Sequence, residues 1–379
     1  MALFWTVLGK INDSYYDKSV INSQKLLNGA IGGMVQSLGD PYTVFLPPVQ
    51  NTDFKQGLAG QFEGIGAELG IKDKQIVVIA PLDGMPAKQA GIRAGDAIVK
   101  VDDKPTDGLT LAQIVEKIRG PKGTTVTLTI LHRDETAPKE IKITRGTIIV
   151  KSVEGKVQKI GDIQNINIDD KASSGSAKDI SMLGTKDKQV AYIRLSQFGD
   201  NTNKEWVTMT NAVDLQIRES NGKVKGVILD LRNNPGGYLT DATFIASEFL
   251  KGGLVVIQDK GNGEKTNFEV SRKGLLTDIP LVVLINKGSA SASEIVAGAL
   301  RDHMRAKLIG ETSFGKGTIQ QAEDLGDGAG LHITIAKWLT PNETWIHGKG
   351  LTPDIVVALD PKNPDHDTQL EKAVEELIK

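Results

Sequence analysis

The chain has 379 residues, enough for about two or three domains, each with its own core. Its 45 Lys and Arg against 47 Asp and Glu give a net charge of −2, which provides no electrostatic footprint for nucleic acid, and no apolar run approaches bilayer-spanning length. There is no cysteine, which excludes thiol chemistry and disulfides and leaves the redox compartment open.

The start, Met1-Ala2-Leu3-Phe4-Trp5, has neither a basic n-region nor a cleavage site, so no signal peptide is read in it. Residues 1–50 read as helical, with Ile21, Leu26, Leu27, Ile31, Met34, Val35 and Leu38 at helical spacing and Gly39-Asp40-Pro41 as the stop. Residues 51–62 lack periodicity and read as a linker. Over residues 63–150 short β-rich runs appear at 76–79, 97–101, 126–131 and 141–143. Turns at Asp83-Gly84, Ala94-Gly95-Asp96 and Gly120-Pro121-Lys122-Gly123 separate them, and one helix is predicted at 111–119. This is a compact, mostly β module. Residues 155–188 are polar, rich in Lys, Asp, Ser and Gly, and read as an insertion or long loop.

From 190 onward strand and helix alternate, which predicts an α/β layered core. Strands are expected at 190–195, 224–230, 254–258, 280–285, 307–310, 330–336 and 354–357. Helices are expected at 203–219, 239–250 and 291–303, with a short charged amphipathic helix at 367–379.

Three segments in this half carry chemistry. Ser289-Ala290-Ser291-Ala292-Ser293-Glu294 ends a strand and opens a helix. Ser291 with Glu294 fits a capping box, yet an exposed serine there can also act as a nucleophile, with helix N-terminal N–H groups facing a developing oxyanion. Lys316 lies between Gly315 and Gly317. A lysine base must be neutral, hence desolvated or set near other cations, and Ser–Lys pairs are a known variant of the serine triad. Gln320 is placed to orient that amine or to be a surface glutamine. Asp230-Leu231-Arg232-Asn233-Asn234-Pro235-Gly236-Gly237 follows a buried strand and reads as a tight turn or as an oxyanion hole of glycine N–H groups.

Gly310 to Gly317 nearly spells a phosphate-binding loop, but Gly317 replaces the required hydroxyl residue. The five histidines show no metal spacing, so no metal and no cofactor are expected. A triad through His332 or His347 stays open. In the β module, Gly64-Ile65-Gly66 is an ordinary turn or a set of N–H groups facing a carboxylate beside an open sheet edge.

These segments resemble the carboxyl-terminal processing proteases, or tail-specific proteases, of the serine–lysine peptidase family S41. The resemblance rests on residues 288–295, 314–317 and 230–237, with 37–43 and 347–354 also similar. It implies Ser291 as nucleophile, Lys316 as base and Gln320 as helper. It implies an oxyanion hole from Ala292 with Gly236 or Gly237. Residues 91–96 and 117–124 resemble a PDZ domain, which implies capture of a substrate's free, apolar C-terminus through Gly64, Ile65 and Gly66.

The implied fold is α/β multidomain: a crotonase/ClpP-like α/β protease core with an inserted mostly-β PDZ domain and N-terminal helices. It divides into a helical region at 1–55, a PDZ domain at 56–149, a core at 150–362 containing the 155–188 insertion, and a C-terminal helix at 363–379. That insertion looks longer than the family's usual link. The resemblance further implies an extracytoplasmic protease whose native signal or anchor is missing from this chain's start, acting on protein or peptide tails and open to homo-oligomer formation. Two competing readings stand beside it. One is a catalytically silent PDZ adaptor that binds tails, and the other is a crotonase-like acyl-transferring enzyme.

Overall fold

The computed structural model describes residues 2–72, 75–82, 84–132, 135–165, 187–359 and 366–379. The chain opens with helices α1 (Ala2–Ser14) and α2 (Ser23–Gln36), then a short strand β1 (Val44–Leu46) and helix α3 (Pro48–Leu58). The linker expected over 51–62 is therefore mostly helix. Pro48 presets the first helical φ, and buried Asn51 donates to Gly328 O at 2.9 Å. A tertiary hydrogen bond fixes this helix, whose own periodicity is weak.

The β-rich module comprises β2 (Gln61–Gly64), β3 (Ala67–Lys72), β4 (Gln75–Pro81), α4 (Pro86–Gln89), β5 (Ala97–Val101), β6 (Lys104–Pro105), α5 (Leu111–Ile118), β7 (Thr125–Leu131), β8 (Lys139–Thr144) and β9 (Gly146–Ile149). An antiparallel sheet of order β3-β4-β5-β7-β8 leaves β3 on one edge, while β2 pairs with β9. Thr110 caps α5 in a reciprocal capping box with Gln113. Apolar residues of both helices and of the sheet close a separate core around Ile98, Ile114 and Leu128.

The second half contains β10 (Val153–Lys159), β11 (Gln189–Leu195), α6 (Thr202–Glu219), β12 (Val224–Asp230), α7 (Leu239–Ala246), β13 (Leu254–Asp259), β14 (Lys265–Glu269), β15 (Leu281–Ile285), α8 (Ala292–Asp302), β16 (Lys307–Gly310), β17 (Thr318–Gly326), β18 (Ala329–Leu339), β19 (Ile355–Val356) and α9 (Thr368–Ile378). Its main sheet has the order β10-β11-β12-β15-β16-β19. It is parallel throughout except for β10 on β11.

The loop expected from 155 begins instead as β10, whose polar Glu154, Lys156 and Gln158 alternate along an edge strand. The expected insertion at 155–188 continues as a short 3-10 helix at Ile160–Asn165, and its residues 166–186 lie outside the described residues. A second sheet, β1-β18-β13-β14 with β17 on the other side of β18, carries the N-terminal segment onto the core.

The parallel strands are continuous apolar runs because both of their faces are covered. Alternate residues such as Ile193, Leu229 and Val283 pack against α6, α7 and α8. Their neighbours Tyr192, Ile228 and Leu284 pack against α9.

On that second face Asp230 and Arg232 form a buried ion pair at 2.6 Å, and the guanidinium also reaches Asp367 and Gln369 at the start of α9. Burial works against the Asp230 carboxylate, but the Arg232 guanidinium outweighs it and holds the group below the usual range. Replacing Arg232 by Leu leaves a buried charge unpaired and is expected to cost about 3–5 kcal/mol, read as a lowered thermal midpoint relative to wild type.

Candidate active site

Strands β12, β15 and β16 are adjacent and parallel, so their C-terminal ends open on one edge of the sheet, where α/β folds place their ligands. The chain leaves β12 into 230–237, β15 into 286–291, and β16 into 311–317. Topology alone thus brings together three segments that are far apart in sequence.

Hydrogen bonds then fix them. Leu231 N bonds Leu284 O, Ala290 N bonds Asn234 O, and Phe314 N bonds Ser289 O. Asn233 and Asn286 clasp each other through two 2.8 Å bonds. Of the three clustered serines, Ser289 and Ser293 are fully buried and spend their hydroxyls on Leu231 O and Asn234 O. Ser291 is partly exposed, and its hydroxyl donates to no acceptor among the described residues.

Ser291 has φ 54° and ψ −115°. This is left-handed backbone that costs a non-glycine residue about 1–3 kcal/mol, and its occurrence at a sharp strand-to-helix turn is typical of an exposed nucleophile. The compensation is Glu294, whose carboxylate is fully buried. Oε2 accepts from Ser291 N at 2.8 Å and from Lys316 N at 2.9 Å. Oε1 accepts from Ser313 Oγ and Gly315 N, both at 2.6 Å. In all four the donor lies on the partner, so the carboxylate acts as acceptor only. One side chain therefore pins the serine turn to the lysine loop. The sequence shows Glu294 as a helix cap; that it also grips a loop 22 residues later leaves no trace in local spacing.

Gly315 has φ +90°, and a β-carbon there would stand 2.8 Å from Gly350 N. One at Gly317 would stand 2.8 Å from Trp345 Nε1. The loop therefore tolerates glycine alone on either side of Lys316. Burial pushes the Lys316 amine below its ordinary value, against the opposing pull of Asp40 and Glu294. Among the described residues no carboxylate lies within ion-pairing distance of it. Its Nζ sits 5.2 Å from the centre of the Tyr42 ring.

Gln320, on β17, donates through Nε2 to Thr318 Oγ1 and Thr334 Oγ1, both at 3.0 Å. His347 Nδ1 accepts from Gly317 N at 3.3 Å, and His332 packs against Phe54.

Packed against the serine turn, Gly236 has φ +96°, and a β-carbon there would meet Ser291 Cβ at 2.8 Å and Ala292 N at 2.9 Å. Its own N–H goes to Asn234 Oδ1. The N–H groups of Gly237 and of Ala292, the first residue of α8, bond no acceptor among the described residues. Tyr238, beside Gly237, bonds Asp200 and is pushed up to about 12 by burial and that carboxylate.

In the β module, Ile65 O and Gly66 O accept from Ala87 N and Leu82 N. The N–H groups of Ile65 and Gly66 are unused among the described residues, and they lie beside the edge strand β3, against which α5 packs. Gly66 has φ +71°, and a β-carbon there would lie 2.5 Å from Met85.

Residues 189–357 match the model of peptidase family S41, residues 54–131 that of the PDZ domain, and residues 5–48 the N-terminal domain of the activating protease CtpB. The carboxy-terminal-processing protease of Bartonella bacilliformis is 38% identical over 359 residues, covering 94% of this chain and 75% of that protein. The carboxy-terminal processing protease CtpA of Bacillus subtilis is 37% identical over 92% of this chain and 67% of its own length. CtpA-like serine proteases of Staphylococcus haemolyticus and Staphylococcus aureus are 39% and 38% identical, and this chain spans 63% and 62% of their length. Among solved structures, a photosystem II D1 C-terminal processing protease superposes with a TM-score of 0.53 at 29% identity, covering 100% of this chain and 97% of that one.

Glu294→Gln puts an amide donor against N–H groups that need an acceptor. It is expected to cost about 3 kcal/mol or more of stability and to cut peptidase turnover about 100-fold through misplacement. Thermal melts and initial rates on one protein batch measure both.

Proposed function

This chain belongs to peptidase family S41, the serine-type C-terminal processing peptidases, and we propose that Ser291 is its nucleophile and Lys316 its general base. The supporting observation is the Lys316 amine: half-buried, held low by desolvation, without an ion-pair carboxylate among the described residues, and set on a loop whose N–H shares an acceptor oxygen with Ser291.

Neutral Lys316 removes the Ser291 proton as Oγ attacks the scissile carbonyl carbon, and the carbonyl electron pair moves onto oxygen. The N–H groups of Ala292 and Gly237 receive that oxyanion. Gly237 is preferred to Gly236 because Asn234 Oδ1 already occupies the Gly236 N–H, while Gly236 supplies the close approach to Ser291. The C–N bond breaks as the Lys316 ammonium protonates the leaving amine. The neutral amine then deprotonates a water as its oxygen attacks the ester carbon, and the resulting ammonium gives that proton to Ser291 Oγ as the C–Oγ bond breaks. Gln320 keeps its carbonyl oxygen available to the amine, since its NH2 group is committed to Thr318 and Thr334.

Protein or peptide substrates are delivered by the PDZ domain. A tail adds as a strand along the free edge of β3, beside α5, with its carboxylate at the unused N–H groups of Ile65 and Gly66 and apolar side chains against Leu69 and Leu111. The core is read as crotonase/ClpP-like, with helices on both faces of a mostly parallel sheet and the site at its C-terminal edge. The location is read as extracytoplasmic. Among the described residues no helix is long and apolar enough to cross a membrane.

Ser291→Ala and Lys316→Ala are each expected to abolish cleavage of a model protein with an apolar tail while the fold is retained. Mass spectrometry of the digests decides the point, and turnover surviving in either variant refutes the assignment. The base must be neutral, so kcat/KM is expected to fall as pH drops through the lowered Lys316 value, a limb visible in a pH–rate profile.

A further inference from the structure

Part of the wall beside the Lys316 amine comes from residues 40–43, which precede the PDZ domain in sequence. Asp40 accepts from Tyr42 N at 3.0 Å and from Thr43 Oγ1 at 2.6 Å. Thr43 Oγ1 in turn accepts from Thr334 N at 3.0 Å, and Thr334 Oγ1 accepts from Gln320 Nε2. Strand β1 follows at once and pairs with β18. Residues 40–43 are therefore locked onto the same strand pair that carries Gln320. The Tyr42 ring meets His347 edge-on at 5.8 Å, and His347 stacks on Trp345 at 5.2 Å. Opposite that aromatic wall lies the Lys316 amine, 5.2 Å from the Tyr42 ring centre.

We infer that Tyr42 is a positioning residue for Lys316: its ring is the surface against which the amine packs and which keeps water from it. This rests on the reading of Lys316 as the base. The groups that face the amine are Asp40 from the loop after α2, Glu294 from α8, His332 from β18 and Tyr42 itself. Asp40 and Glu294 both favour the ammonium, so a dry wall is needed to offset them.

An aromatic ring suits this better than a third carboxylate. It excludes water while the amine is neutral. Its π face still attracts the ammonium formed after proton transfer, without the permanent charge that would keep the lysine protonated. The hydroxyl is not required for either role.

The test is the pH dependence of kcat/KM for Tyr42→Phe, Tyr42→Ala and Tyr42→Gln, alongside Lys316→Ala. Tyr42→Phe keeps the ring and is expected to retain the wild-type acidic limb. Tyr42→Ala admits water to the ammonium. It is expected to move that limb to higher pH and to lower kcat/KM at neutral pH about 10- to 100-fold. Tyr42→Gln fills the space with a hydrated group, is expected to move the limb in the same direction, and serves if the alanine variant does not fold. A limb left in place by both Ala and Gln, or equal impairment in Phe and Ala, overturns the inference. Cleavage surviving in Lys316→Ala would instead overturn the underlying assignment of the base, so the two failures are distinct.

Discussion

A single buried carboxylate holds the candidate site together. Glu294 gathers the N–H groups of Ser291, Gly315 and Lys316 and the hydroxyl of Ser313. Without it the serine turn and the lysine loop would lose the acceptor that ties both to α8. A buried charge is costly unless hydrogen-bonded on every side. Four donors meet that demand here, and in doing so they set the relative position of two loops that share no local contact in sequence.

The electrostatics of the cleft follow from where the carboxylates are not. Asp230, buried at the end of β12, is paired with Arg232 and kept on the α9 face of the sheet. Asp40 and Glu294 direct their oxygens at backbone and hydroxyl donors. The Lys316 amine is thus left among aromatic rings and glycines, where burial dominates its protonation. The N–H groups of Ala292 and Gly237, beside Ser291, bond no acceptor among the described residues. The PDZ domain lies in sequence between the segment that supplies Tyr42 and the core that supplies Ser291, so the site is assembled from parts of the chain on either side of that domain.

Much of this was legible in the amino-acid order. Strands 97–101, 224–230 and 307–310 stand where the sequence places them, because short runs dominated by β-branched and other apolar residues between turn signals leave little ambiguity. Strand β10 and helix α3 did not show, the first because an edge strand buries only alternate residues, the second because Asn51 is held from across the domain. The motifs single out residues 288–295 and 314–317. That Ser289 and Ser293 are structural is a matter of three-dimensional bonding to residues 58 and 59 positions earlier. Tyr42 and Glu294 were visible only as a familiar motif and a helix cap. Their relation to Lys316 depends on the parallel order of β12, β15 and β16 and on the pairing of β1 with β18, which no short-range pattern encodes.

The account rests on an amine that sheds its charge inside a dry pocket. The most direct test is an NMR titration of the Lys316 side chain in the folded protein, with Lys316→Arg identifying its resonance. The account predicts deprotonation at a pH below that of the exposed lysines in the same spectrum, whereas titration together with them or above them would contradict it.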